Sequence, residues 1–269
     1  MTSQSTRLGL GVGITNPRLT TAKRGIAVEI ATRLAATAET PVCLIGADPT
    51  DRDVDRHLPQ LAAAWGEPSR MEVTRGPHHL EVATFARSHV CVVSVSDRET
   101  VELLFPTLQE RFRFLIVDAP SRAGMGVGIA GVLLDWLDAL FVATALDAGE
   151  LAETRRYVEQ LDARPTAHHV KVRVLPIGDP DDCGLARKQL DRRLATLPTI
   201  AGVPRLRGRI GNRSPITEGE LDDAFRPIIR WIIDRQAGPG PEPARSAAPD
   251  TDPPELRVAN RLYRETLGR

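Results

Sequence analysis

Two short apolar runs end alike, and together they restrict the fold more than any other feature of the chain. One is Val42-Cys43-Leu44-Ile45-Gly46-Ala47-Asp48-Pro49; the other is Phe112-Arg113-Phe114-Leu115-Ile116-Val117-Asp118-Ala119-Pro120. Each is too short for a helix, rich in β-branched residues, and closed by Asp-Pro or Asp-x-Pro. Such runs read as strands buried on both faces of a parallel sheet. Open α/β sheets place ligands outside the carboxyl ends of their strands, at a topological switch point. Acids at two such ends, Asp48 and Asp118, suggest a nucleotide or metal-phosphate site.

The remaining pattern alternates strand and helix. Residues 8–15 form an apolar first strand, and a helix across 24–38 repeats Ile26, Ile30 and Leu34 beside Ala27, Ala31 and Ala35 on one face. Strand 42–47 follows, and 52–80, with Pro59, Pro68 and Pro77, reads as irregular. Strand 89–95 leads to a helix over 97–110 that Asp97 can cap, with Glu99 in its first turn. Then come strand 113–117, a Gly-rich turn over 123–131, a helix to about 137 and strand 139–144. Helix 148–162, strand 170–177, helix 184–196, a short segment near 205–210 and helix 218–236 complete the pattern. This alternation predicts an α/β fold with a doubly wound, mostly parallel sheet. The 269 residues suffice for one such domain over 1–236 and a tail.

In the tail, 237–254 reads AGPGPEPARSAAPDTDPP, which offers nothing larger than Ala for packing and predicts a disordered linker. Residues 255–269 regain helical spacing. Leu256, Ala259, Tyr263 and Leu267 share one face, opposite Arg257, Arg261, Arg264 and Arg269. A basic amphipathic helix on a tether suits an anionic membrane or a partner's groove; a solubilising tail is the plain alternative.

Composition narrows the classes. Net charge is zero, so no global field favours nucleic acid, and nucleic acid is not an expected partner. Cys43, Cys91 and Cys183 show no metal-binding spacing and read as small core residues. His78-His79 and His168-His169 fall in expected loops without a carboxylate partner, so no metal site is expected. No run reaches about 18 apolar residues and no leader is legible, which predicts a cytoplasmic protein, with the C-terminal helix reaching the membrane's inner face if it binds lipid.

The order of pieces resembles the MinD/ParA family of deviant-Walker P-loop ATPases. The resemblance rests on a strand, a phosphate-loop position, an Ala-rich helix, a strand ending Asp-Pro and a later strand ending Asp-x-Pro before a Gly turn. It extends to LFVATALDAGELAETRRYVEQL and covers most of 7–236. It implies a P-loop fold, ATP and magnesium as cofactors, a homodimer with ATP between subunits, and roles in positioning division, chromosome, pilus or secretion machinery. Aligned from the helix backwards, Arg18-Leu19-Thr20-Thr21-Ala22-Lys23-Arg24-Gly25 takes the place of the family's KGGVGKTT. Lys23 then falls at the phosphate-binding lysine, and Arg18 at the lysine that reaches across the dimer. The loop's glycines are absent, Arg24 replaces the magnesium-binding hydroxyl, and Gly46 replaces the first aspartate of the next motif, leaving Asp48 and Asp118. Gly11-Val12-Gly13-Ile14-Thr15 also looks like a phosphate loop, but its preceding residues are polar, so the strand reading is preferred.

Plain readings stand beside these. Lys23 and Arg18 can be solvated charges at a helix start, Asp48 a turn residue, and Asp118 a cap. The leading expectation is a scaffold or regulator with a degenerate phosphate loop that does not hydrolyse ATP. It would act with a protein partner in cell division, chromosome partition or an envelope apparatus. The alternatives are an active ATPase in which Arg18, Lys23, Asp48 and Asp118 still work, and a nonspecific DNA-binding partitioning protein.

Overall fold

A computed structural model describes residues 9–18, 22–47, 66–75, 78–85, 89–95, 97–126, 128–164, 169–178, 187–199 and 218–236. In chain order these form β1 (Leu10–Thr15), α1 (Ala22–Ala38), β2 (Val42–Gly46), β3 (Ser69–Arg75), β4 (His78–Phe85), β5 (Val90–Ser94), α2 (Arg98–Arg111) and β6 (Phe114–Asp118). Then follow α3 (Ile129–Val132), a 3-10 turn (Leu133–Trp136), β7 (Ala139–Ala145), α4 (Ala148–Asp162), β8 (Lys171–Ile177), α5 (Arg187–Ala195) and α6 (Glu218–Gln236).

The strands join in one sheet, ordered β3-β4-β5-β2-β6-β1-β7-β8. From β5 to β8 every pairing is parallel, as the continuous apolar runs require. Alternate residues feed two cores. On one face α1 and α6 lay Ile26, Ile30, Leu34, Phe225, Ile228 and Ile232 against Val12, Ile14, Leu44, Phe114 and Phe141. On the other, α2, the 3-10 turn, α4 and α5 cover Cys43, Ile45, Leu115, Val117, Leu140 and Val142. Ala27, Ala31 and Ala35 of α1, all fully buried, let that helix lie close on the sheet.

The Gly-Val-Gly run of β1 serves packing. A Cβ on Gly11 would stand 2.6 Å from the Trp136 carbonyl oxygen, and one on Gly13 would stand 2.5 Å from Leu137 Cδ1. Both glycines admit the segment crossing over the first strand, and the strand reading of 11–15 holds.

Two expectations need correction. Within 52–80, expected to be irregular, 69–75 and 78–85 form an antiparallel hairpin running from Ser69↔Thr84 to Arg75↔His78. Pro68 precedes its first strand and Pro77 lies between the two strands. These breakers therefore punctuate the hairpin, and the apolar-polar alternation of Arg70-Met71-Glu72-Val73-Thr74 was the stronger signal. His78 and His79 accordingly belong to β4 and not to a loop. The helix expected to run to 137 is one short turn, Ile129–Val132, continued by the 3-10 turn. Cys43 and Cys91 lie opposite each other on β2 and β5, both buried, and burial raises both thiol pKa values; Cys91 adds to the effect on Cys43. Among the described residues no helix is long and apolar enough to cross a membrane.

The chain divides into two units, Met1–Gln236 and Ala237–Arg269. Asp48, Cys183, His168, the segment near 205–210, the linker 237–254 and the helix bearing Leu256, Arg257, Ala259, Arg261, Tyr263, Arg264 and Leu267 lie outside the described residues.

Candidate functional site

The carboxyl ends of β1, β2 and β6 meet side by side. Register places Asp118 opposite Ile14 on one flank and opposite Gly46 on the other. Gly46, which carries no side chain, is thus the β2 residue beside Asp118. Lys23, in the first turn of α1, fills the neighbourhood. Its ammonium lies 3.2 Å from Asp118 Oδ1, and it donates a short hydrogen bond to the Ala119 carbonyl oxygen. The two side chains are only 6% and 4% exposed, so this is a buried ion pair. Structure thus brings together two of the candidate residues, Lys23 and Asp118.

The backbone around the pair is stitched shut. Ala119 donates its N–H to Ile14 O at 2.9 Å, and Ala47 donates to Asp118 O at 3.0 Å. The Thr15 hydroxyl donates to Pro120 O at 2.7 Å and accepts from Ala123 N at 3.3 Å. Tyr157, fully packed on α4, donates its hydroxyl to Ala123 O at 2.5 Å; burial drives its pKa well up, so it stays a donor. Asn16 accepts from Ser121 Oγ at 2.8 Å through its side chain and from Arg122 N at 2.9 Å through its carbonyl. Arg122 holds a left-handed backbone, φ 56°, to make that turn.

Arg18 lies elsewhere, on the rim. It is half-exposed, with Nε 3.5 Å from Glu150 Oε1 and Nη2 3.9 Å from Glu153 Oε1. Arg122 reaches the same helix, its Nη2 2.8 Å from Glu153 Oε2, while its Nε donates to Pro17 O at 3.2 Å. Asp147 starts α4 by accepting from the N–H groups of Gly149 and Glu150, each at 2.9 Å. The carboxyl of Glu150 is held above its usual pKa, chiefly by burial; Arg18 opposes this, and Asp147 and Glu153 add to it.

Sequence reasoning missed Glu150, Glu153, Arg122, Thr15 and Tyr157. A signal existed for one of them: Asp147-x-x-Glu150 has capping-box spacing, which marks where a helix begins near the sheet's mouth. Nothing local could pair Glu153 with Arg122, because that contact depends on how α4 crosses the sheet.

Among the described residues no cluster of three His, Cys, Asp or Glu side chains could hold a metal ion. A magnesium nucleotide needs a cation free for phosphate and an oxygen free for metal. Here Lys23 and Asp118 meet each other at 3.2 Å.

Solved structures share this architecture. MinD cell division protein of Aquifex aeolicus aligns at 14% identity over 87% of this chain and 99% of its own, with a TM-score of 0.54. Cobyrinic acid a,c-diamide synthase of Mycobacterium smegmatis aligns at 14% identity over 86% and 96%, TM-score 0.55. The pNOB8 ParA bound to nonspecific DNA aligns at 12% identity over 85% and 98%, TM-score 0.51. The chain has a MinD/ParA-like P-loop fold. One of these neighbours is a cell division protein and another a biosynthetic enzyme, so the MinD/ParA-like fold by itself does not decide the activity. No protein-family model matches the sequence, and no curated protein does.

Proposed function

We propose that the chain is a scaffold or regulator on a MinD/ParA-like fold that does not hydrolyse ATP. It would serve the spatial organisation of cell division, chromosome partition or an envelope apparatus. The observation that supports this reading is the Lys23–Asp118 pair, in which the two charges a magnesium nucleotide would use satisfy each other inside the protein. Backbone donors and metal carry most of the transition-state stabilisation in phosphoryl transfer. Gly46 in place of a second acid and Arg24 in place of a hydroxyl point the same way.

Contact with a protein partner belongs to this proposal, with Leu256, Ala259, Tyr263 and Leu267 as the apolar face and Arg257, Arg261 and Arg264 as the basic one. Anionic and neutral vesicles separate a lipid target from a protein one: salt-sensitive cosedimentation with anionic vesicles alone identifies lipid.

The alternative, an ATPase with a divergent loop, draws on Lys23 occupying the first turn of α1 beside Asp118. Titration of the full chain with labelled ATP and magnesium, followed by a hydrolysis assay, decides between the two. The scaffold reading expects no turnover above background. Turnover that disappears in Lys23→Ala or Asp48→Ala establishes the ATPase.

A further inference from the structure

The two edges of the sheet are finished differently. At one edge, Val174 of β8 is already engaged: its N–H donates to Pro198 O at 2.8 Å, and a parallel bridge joins it to Thr199. Pro176, two residues on and so turned the same way along the backbone, has no N–H to offer a further strand. At the other edge, β3 runs over Ser69–Arg75 in unbroken register with β4, with no proline and no bulge. Among the described residues β4 is its one neighbour in the sheet. A regular edge of this kind is a template for another strand, and edges that stay single are commonly interrupted by proline, a bulge or brevity.

The hairpin's own register sets like charges side by side. Glu72 stands opposite Glu81, a pairing that disfavours an isolated two-stranded ladder. The order of charges along Ser69-Arg70-Met71-Glu72-Val73-Thr74-Arg75 shows which strand would complement it. When β3 pairs antiparallel with a second copy of itself, only registers that keep residue parity preserve the two faces of the sheet. A two-fold centred on Arg70 or on Glu72 sets that residue against its own like. Centred on Val73, it sets Glu72 opposite Thr74 and brings no unlike charges together. Centred on Met71, it sets Arg70 opposite Glu72 in both directions and, just beyond the strand, Glu67 opposite Arg75.

We propose that β3 is the docking edge for a second copy of this chain: the two β3 strands pair antiparallel with Met71 on the two-fold, and the sheets of both copies run on into one. The Arg70–Glu72 pairs fix the register, and each brings a cation beside a Glu72–Glu81 rung. Association stops at two, because a two-fold contact uses the same edge on both copies and the β8 edge is already bridged. The contact goes beyond the scaffold reading. It also differs from the ATP-bridged dimer that the resemblance implies, since β4 and β5 separate β3 from β2 and no nucleotide enters it.

Sedimentation equilibrium of the full chain without nucleotide tests it. The natural chain is expected to be a dimer that dissociates on dilution. Glu72→Arg puts an arginine opposite Arg70 in both directions, and Arg70→Glu puts a glutamate opposite Glu72. Each alone is expected to weaken self-association at least about tenfold. Mixed in equal amounts, the two variants are expected to pair with each other, since each supplies the charge the other lost. A monomeric natural chain, single variants that associate as tightly as it does, or a mixture that stays monomeric overturns the proposal. If a single variant does not melt cooperatively, crosslinking in the otherwise natural chain decides. Under mild oxidation Met71→Cys is expected to link two copies, because register partners lie within disulfide reach, and Val73→Cys is not. Absence of linkage through Met71→Cys, or equal linkage through Val73→Cys, overturns the proposal as well.

Discussion

The two ends of the sheet solve the placement of charge differently. At the amino end, Asp138 spends its carboxylate on backbone, accepting Gly11 N–H at 2.8 Å. Arg235 donates to the Asp138 carbonyl at 3.3 Å and lies over the Trp231 ring at 5.6 Å, with Arg173 over the same ring at 5.7 Å. At the carboxyl end, Lys23 meets Asp118, and Arg18 and Arg122 meet Glu150 and Glu153. The first set ties strands and a helix together. The second mixes both kinds: Lys23 and Arg122 pair with carboxylates and also donate to the Ala119 and Pro17 carbonyl oxygens, whereas Arg18 pairs with the carboxylates of α4. A charged group bonded to backbone is part of the scaffold, and one bonded only to another side chain is available for a switch in partners.

Four substitutions sharpen that contrast, from the largest effect to the smallest. Lys23→Met removes the ammonium from beside the buried Asp118 carboxylate, and loss of about 3–5 kcal/mol is expected in denaturant unfolding at neutral pH. Adding Asp118→Leu should recover much of it; if it recovers nothing, the pair is not the unit described. Gly11→Ala forces a Cβ against a backbone oxygen and should cost about 1–3 kcal/mol while leaving the titration with labelled ATP unchanged. A changed titration there would show that the glycines of β1 belong to the mouth after all.

Asp138→Asn keeps the shape but weakens a charge-assisted bond to backbone, for an expected loss of about 1–2 kcal/mol. No change would place Asp138 among the exchangeable charges. Glu150→Gln should have the smallest effect, under about 0.5 kcal/mol, and it should depend on pH. The folded-state pKa of Glu150 lies above its ordinary 4.5, so the folded chain holds the extra proton between the two values. Its contribution to stability is therefore present at low pH and declines as pH rises through the raised pKa. Melting curves from pH 4 upward should show a shallower decline in the glutamine variant than in the natural chain. A steeper decline would reverse the sign assigned to burial.

Much of the architecture was legible because local pattern and tertiary role agree in it. The helices at 148–162 and 218–236 match the observed α4 and α6, and Asp97 accepts from Thr100 N at 2.7 Å as its cap position requires. The hairpin at 69–85 escaped because Pro68, just before its first strand, and Pro77, between its two strands, read as breaks in the pattern. At the site, Lys23 and Asp118 were legible separately, from position relative to a helix and a strand. Their pairing was not, since it depends on β6 entering between β1 and β2. The rim arginines were harder still: Arg18 carried a signal from the resemblance, Arg122 carried none, and their shared partner lies on a helix whose crossing no local pattern specifies.

Strand order also governs how this molecule is made. β1 finds its neighbours in β6 and β7, beginning with Leu10↔Phe114, and has no partner among the strands synthesised just after it. At about 5–20 residues per second on the ribosome, this apolar strand waits roughly 5–20 seconds before a partner exists. The closing of the sheet is thus a late event tied to emergence of Phe114–Asp118. Nascent chains arrested before that stretch should be protease-sensitive and depend on chaperones, and those arrested well after β7 should not.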